Sequence, residues 1–200
     1  WAAEHYGGHV TGVSISDEQI SYARQLTAGL PVEIVKADYR DLKGSYDKVL
    51  VCGMIEHVGY KNYRTIMKVI RRLLRPGGLF LLHTIGRNDS VVAAEPWIER
   101  NIFPNSMLPS PVQITRASEG LFTMEDWHNF SRYYDPTLMA WWNNFKNNWH
   151  KIKDRYDERI YRMFRYYFLS CAGSFRARDI QLWQIVFSPQ GVPDGYKSIR

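Results

Sequence analysis

The chain has 200 residues, 45% of them hydrophobic, and a formal net charge of +6. That is enough for one domain with a sizeable core, and it excludes a disordered polar chain. Lysines and arginines are interleaved with acids and no recognised motif appears, so nucleic-acid binding is poorly supported; no run of about 18 apolar residues predicts a membrane-spanning helix. Aromatic residues are abundant, with 13 Tyr and 7 Trp, as an apolar pocket or an interface requires. The two cysteines, Cys52 and Cys171, have neither metal-site nor disulfide-framework spacing and read as free buried thiols; no metal site is expected.

WAAEHYGG reads as the end of a helix running into a loop. HVTGVSIS (9–16) is a short strand with polar residues at its end. Ser16 followed by Gln19 forms a predicted capping box, and Ile20, Ala23 and Leu26 give the next segment an apolar helical face. VEIVKAD (32–38) is a second strand. YDKVLVCGM (46–54) is a third, apolar enough in its middle to suggest a parallel strand covered on both faces. A helix from Asn62 to Arg75 carries Ile66, Val69, Ile70, Leu73 and Leu74 on one side and stops at Pro76-Gly77-Gly78; LFLLHTIG (79–86) is a fourth strand.

This alternation predicts an open α/β sheet, in which ligands bind beyond the carboxyl ends of the strands. Asp38, Glu56 and His83 all lie near such ends. Residues 87–120 read as irregular or locally helical. FTMEDWHNFS (122–131) is a further strand, although Asp126 and Asn129 weaken it. From about Thr137 to Cys171 an apolar stripe recurs every three or four positions, predicting a strongly helical stretch whose apolar side packs on the core, with a membrane-surface helix as the lesser alternative. IQLWQIVFS (180–188) is the final strand.

GMIEHVG, LRPGGLFLLHTIG, MEDWHNFSRYYDPTLMAW and FRARDIQLWQIVFS together closely resemble the cyclopropane-fatty-acyl-phospholipid synthases, and the likeness runs through essentially the whole chain. It implies a Rossmann-like S-adenosylmethionine-dependent methyltransferase fold. Here the fold is expected to be cut before or after its first strand, because the family's glycine-rich cofactor loop and an upstream Cys have no counterpart. Residues 1–200 would then be an incomplete catalytic domain, with 87–120 and 131–172 as lid or substrate-pocket insertions.

The same resemblance implies transfer of the cofactor's methyl carbon to a cis double bond of a phospholipid acyl chain, a bound bicarbonate removing the proton that closes the ring. By that likeness Glu56, His83 and Tyr134 are catalytic and, with the backbone of Ile85, hold bicarbonate; Ser14, Gln19, Asp38 and Tyr39 face S-adenosylmethionine. Taken alone, Glu56 also reads as a loop carboxylate, His83 as a strand-end histidine and Tyr134 as a packing residue. His57 and His128 are expected in supporting places. Trp127, Phe130, Tyr133 and Trp141 are candidates for the pocket wall, where ring faces stabilise cationic character without offering a nucleophile. Arg176, Arg178, Lys61 and Arg64 are candidates for attracting anionic headgroups. The implied setting is cytoplasmic, peripheral at the inner face of the membrane, in transient contact with phospholipid; a homodimer is open for a full-length enzyme. A C-methyltransferase acting on another unsaturated lipid, and a catalytically incomplete lipid-binding fragment, remain as alternatives.

Overall fold

The computed structural model describes residues 1–199. The chain divides into two units, Trp1–Ser45 and Tyr46–Arg200.

In the first unit, α1 (Ala2–Tyr6) stops at Gly7, whose φ of 64° lies in the left-handed region open to glycine. Strands β1 (Val10–Ser14) and β2 (Val32–Lys36) pair in parallel, with α2 (Asp17–Leu26) as the crossover. The Ser16 hydroxyl caps α2 by accepting from the Gln19 N–H at 3.3 Å. Only this half of the predicted capping box forms. The Gln19 side chain turns instead to Ser14, whose hydroxyl donates to its Oε1 at 2.8 Å.

The second unit is built on a four-stranded sheet of order β3-β4-β6-β5, with β3 Tyr46–Cys52, β4 Leu74–Arg87, β5 Thr123–Asn129 and β6 Ile180–Ser188. Only β3 and β4 are parallel; β4–β6 and β6–β5 are antiparallel. Strand β3 is an edge of this sheet. Its Leu50 is 64% exposed, so the apolar run that predicted cover on both faces lacks it within this unit. Helix α3 (Tyr63–Leu73) stops at Leu73 rather than at the Pro-Gly-Gly sequence. Strand β4 begins at once and takes Pro76-Gly77-Gly78 into an irregular first section, where the register with β3 slips between Tyr46 and Lys48. Pro cannot donate to the ladder and Gly77 has φ 72°, so both sit at the slip rather than in the regular part.

Alternation along β4 divides its side chains cleanly. Phe80, Leu82 and Thr84 are buried, while Leu81, His83 and Ile85 are half-buried on the other face. Phe80 stacks on Phe187 of β6 at 5.4 Å, each of these two rings being worth about 1.5–3 kcal/mol in burial. The Ile85 face is covered by a helical hairpin: Ile85, Phe130 and Tyr134 pack on a cluster of Leu138, Phe168, Ala172, Phe175 and Leu182.

The helical stretch predicted from the stripe is two helices folded into a hairpin. Helix α6 (Ser131–Asn148) ends in a 3-10 turn at Trp149–Lys151, and α7 (Glu158–Arg176) restarts behind Asp157, whose carboxylate accepts from the Ile160 N–H at 3.0 Å. Phe145 stacks on Tyr161 and meets Phe164 across the hairpin, so one apolar spacing serves two antiparallel helices. Between β4 and β5, residues 87–120 contain α4 (Pro96–Asn101) and α5 (Pro111–Ser118), the latter opened by a complete Ser110–Gln113 capping box.

A buried polar knot fixes the start of α6. The Ser131 hydroxyl accepts from the Leu182 N–H at 2.9 Å and reaches the side-chain oxygens of Gln181 and Asn129; the Ser131 N–H donates to Asn129 Oδ1 at 2.9 Å. Ser131→Ala leaves a buried N–H on β6 without its acceptor. The expected loss is about 1–3 kcal/mol, a fall of several degrees in thermal midpoint. An unchanged melting curve would show that this knot does not hold α6.

Candidate active site

Glu56 lies in a 3-10 turn, Ile55–His57, just beyond the carboxyl end of β3. The strand ends at Cys52, Gly53 turns at φ 60°, and the Gly53 N–H donates to the His83 carbonyl at 3.0 Å. Further along the same edge of β4, the Ile85 N–H has no β3 residue opposite it and donates to Glu56 Oε1 at 2.9 Å. The backbone of this turn is held as well, since the Met107 N–H donates to the Glu56 carbonyl at 2.7 Å. Residues 87–120 therefore contribute Met107 as a brace behind the carboxylate.

Glu56 is only 7% exposed, and its Oε2 is buried with no hydrogen-bond partner among the described residues. Burial pushes its pKa above the ordinary carboxyl value, against smaller downward pulls led by backbone N–H groups, including that of Ile85, and ending with His57. A buried acceptor without a donor is rare in a folded protein and marks a place where a ligand donor fits. The Tyr134 phenol is held protonated to higher pH, first by burial and then by nearby Cys52, Glu56 and Cys171. Tyr63, 1% exposed, is pushed up in the same way by burial and Glu56. His83 is half-buried, and desolvation lowers its pKa. Its Nδ1 lies 3.2 Å from Gln184 Nε2.

Glu56, Ile85 and Tyr134 are thus brought together, with His83 two residues before Ile85 on the same face of β4. The part played by Ile85 differs from the expected one: its N–H is engaged by Glu56, and its carbonyl accepts from the Thr84 hydroxyl at 2.8 Å. Phe130 packs on the cluster beneath Tyr134, and Trp141 meets the Tyr134 ring edge-on at 5.8 Å. Tyr133 is 53% exposed, with the Arg132 guanidinium 5.2 Å from its ring. Trp127 is placed elsewhere. Its register partner is Ile185 and its ring sits against Trp183, on the sheet face opposite His83. His57 is exposed and contacts Phe103; His128 lies 3.9 Å from the Phe130 ring.

Several residues at this centre carried no sequence signal beyond their type. Cys52, expected to be buried, is exposed at the end of β3, and Cys171, expected likewise, is half-buried, its thiol pushed up to about 11 by burial. Gln184 was hidden within an apolar strand. No group of three His, Cys, Asp or Glu suited to a metal occurs among the described residues.

The first unit gathers its own polar set at the carboxyl ends of β1 and β2, where Ser14 pairs in register with Lys36. Beside the Ser14–Gln19 bond, Asp38 receives Arg40 through two side-chain bonds of 2.8 and 2.7 Å and through the Arg40 N–H. Those bonds hold the Asp38 carboxyl down to about 2. Burial chiefly raises the Tyr39 phenol. The Asp38 carboxylate, expected to face S-adenosylmethionine, is therefore already bound to the Arg40 guanidinium.

A family model described as mycolic acid cyclopropane synthetase matches residues 1–185. The chain belongs to this family. Among its relatives in the cyclopropane synthetase family, the cyclopropane-fatty-acyl-phospholipid synthase of Escherichia coli K12 is 52% identical over 200 residues, all of this chain and 52% of that protein. The probable fatty acid methyltransferase of Pseudomonas putida is 33% identical, covering 93% of this chain and 50% of its own. The chain spans about half the length of these curated relatives. The structure of mycolic acid cyclopropane synthase CmaA1 with SAH and CTAB superposes with a TM-score of 0.84 at 24% identity, covering 93% of this chain and 72% of that one. Cyclopropane synthase MmaA2 of Mycobacterium tuberculosis gives 0.85 at 20%, with the same coverages. The fold is that of the S-adenosylmethionine-dependent methyltransferases.

Proposed function

We propose that the full-length protein transfers the methyl carbon of S-adenosylmethionine to a cis double bond in a phospholipid acyl chain and closes a cyclopropane ring with the help of bicarbonate. The observation that carries this reading is Glu56: one oxygen engaged by Ile85, the other buried and unpartnered, with the Tyr134 phenol close by. The 52% identity to a protein named for this reaction supports the lipid and the ring; the relative at 33% is named a methyltransferase.

The residues fit both small molecules. When bound, S-adenosylmethionine supplies an electrophilic methyl and bicarbonate a base. Glu56 Oε2 offers an acceptor for the hydroxyl of a small oxyanion, and the Tyr134 phenol offers a donor to its remaining oxygens; a buried anion is tolerable only when so bonded. Ile85 acts through its N–H, which aims the carboxylate. Phe130 and Tyr134 present rings that stabilise positive charge on the acyl chain while keeping out water that would trap it. Ser14 and Gln19 present polar atoms for the cofactor, and Tyr39 a ring beside its base. Asp38, held by Arg40, offers negative charge to the cofactor's amine through the oxygen lone pairs that remain.

Contact with a bilayer is part of the proposal. No helix among the described residues is long and apolar enough to cross a membrane. Exposed Tyr133 and Trp141 on α6 and exposed Tyr166 and Leu169 on α7 support transient surface contact, with Arg162 and Arg165 beside the latter pair. Two of the expected headgroup cations are committed elsewhere: Arg176 forms a bidentate pair with Asp135 at 2.9 and 3.0 Å, and Arg64 donates to the carbonyls of Ala117 and Glu119.

The test incubates full-length protein with S-adenosylmethionine and vesicles of cis-monounsaturated phospholipid, in buffer freed of carbon dioxide and then resupplied with bicarbonate. The expected product gains one CH2, loses its alkene protons and shows cyclopropyl protons, and its formation depends on bicarbonate. A methyl-branched product that keeps unsaturation would replace this reading with simple C-methylation.

A further inference from the structure

The register of the four-stranded sheet sets four polar side chains in one row. Cys52 on β3 is paired with His83 on β4, His83 with Gln184 on β6, and Gln184 with His128 on β5. Directly paired residues share a sheet face, so the row runs across the His83 face. Within it, the Gln184 amide nitrogen lies 3.2 Å from His83 Nδ1. An amide nitrogen carries only N–H groups and can only donate. With the amide turned this way, Nδ1 offers its lone pair and the ring proton sits on Nε2.

We infer that Gln184 is a positioning residue that locks His83 in its neutral Nε2–H form, so that His83 meets its ligand as a hydrogen-bond donor and not as a base. The inference rests on the proposed function for what His83 faces, but not for its tautomer. The titratable groups on the surrounding elements are Cys52 on β3, Glu56 beyond it, His128 on β5, Tyr134 on α6 and Tyr167 and Cys171 on α7; among the described residues none of them is hydrogen-bonded to the His83 ring. Gln184 therefore sets the tautomer alone. Burial of the ring works in the same direction, disfavouring the imidazolium.

The arrangement divides labour between the acceptor and donor sides of the site. Glu56 Oε2 accepts, while Tyr134 and His83 donate; these residues would hold a bicarbonate ion by its hydroxyl at Glu56 and by its other oxygens at the two donors, and the ion would supply a base. A carboxylate at position 184 would reverse this. It would accept from Nδ1–H, draw the proton off Nε2 or favour the doubly protonated ring, and turn His83 toward the wrong chemistry. A glutamine in an otherwise apolar strand, IQLWQIVFS, is the residue type that can donate without bringing a charge.

The test is a long-range proton–nitrogen NMR spectrum of nitrogen-15-labelled full-length protein, with the His83 signals assigned by their loss in His83→Asn. The expected wild-type pattern is a lone-pair nitrogen at Nδ1 and a protonated Nε2. In Gln184→Leu the ring should populate both tautomers; in the near-isosteric Gln184→Glu the proton should move to Nδ1 or occupy both nitrogens. Both variants should lose on the order of tenfold in kcat, the scale for partners that fix an imidazole's tautomer, with the KM for lipid unchanged. A protonated Nδ1 in the wild type, or a Gln184→Glu spectrum identical to it, would overturn the inference. The two readings fail separately: absence of a cyclopropane product with the His83 pattern intact removes the proposed function and leaves the tautomer lock standing.

Discussion

Glu56→Gln is expected to lose at least about a hundredfold in turnover while melting at a higher temperature than the wild type at neutral pH. The two effects share one cause. The wild-type carboxylate has an oxygen buried without a partner, and burial raises its pKa. The folded protein therefore keeps the Glu56 proton to higher pH than the unfolded chain does. Between the unfolded and folded values, N binds more protons than U, so stability falls as pH rises. Above the folded value the penalty of the desolvated charge is fully present; below the ordinary carboxyl value of 4.5 it is absent. Glutamine keeps an oxygen for the Ile85 N–H and never carries the charge. Its amide N–H groups then occupy the unpartnered side, at less cost than a desolvated anion. A gain of about 1 kcal/mol is expected, roughly 2–4 °C for a chain of this size. Calorimetry of both proteins across the acid range checks this, and the difference should vanish below the ordinary carboxyl value. A variant that melts lower at neutral pH, or turns over normally, would sink the assignment. The expected trade of stability for activity is what separates a site carboxylate from one that merely braces a turn.

Much of this arrangement was legible in the sequence because it depends on local pattern. Strand β6 has the predicted bounds, Ile180–Ser188, since a short apolar run rich in β-branched and aromatic residues reads as a buried strand. The motifs around Glu56, His83 and Tyr134 pointed to three elements, and the structure brings Glu56, Ile85 and Tyr134 together. What escaped was long-range. A spacing of three or four predicts a helical face but not whether the helix folds back. The signal for the break was the Asp157-Glu158 start of α7, which is weaker than the stripe running across it. Strand pattern suggested parallel pairing at β3 and left the pairing of the last two strands open; β4 meets β6 in antiparallel register, and only that register places Gln184 against His83 and turns Trp127 to the other face. The partner of Gln19 was likewise misread: the capping box is a local rule, and the Ser14 hydroxyl outcompetes the backbone for its side chain.

Gly86→Ala should be the most damaging single methyl in the sheet. The backbone at Gly86 is not left-handed, so alanine is acceptable there on conformational grounds; the constraint is space. A Cβ on Gly86 would sit 2.2 Å from Trp183 Cζ3 and 2.7 Å from the Pro109 carbonyl oxygen. Neither neighbour has an easy retreat. Trp183 is 3% exposed and set edge-on against Trp127 at 5.1 Å, and the Pro109 carbonyl accepts from the Arg87 N–H at 3.0 Å. The strand itself must move, and the residue before Gly86 is Ile85, whose N–H aims Glu56. Overpacking of this kind costs about 1–3 kcal/mol and occasionally more; with a ring and a backbone oxygen both in the way, the upper end is expected. Turnover should fall with stability, because displacing Ile85 loosens the Glu56 carboxylate. Adding Trp183→Leu should recover part of the thermal midpoint by removing the ring and leaving the carbonyl contact. A single Gly86→Ala variant that melts with the wild type would show that β4 yields at this point, and the rigid coupling of Trp183, Ile85 and Glu56 would have to be abandoned. In the sequence this glycine closes the HTIG motif at the end of the fourth predicted strand. In the fold it is the gap that lets a tryptophan on one face of the sheet hold the strand whose other face carries the site.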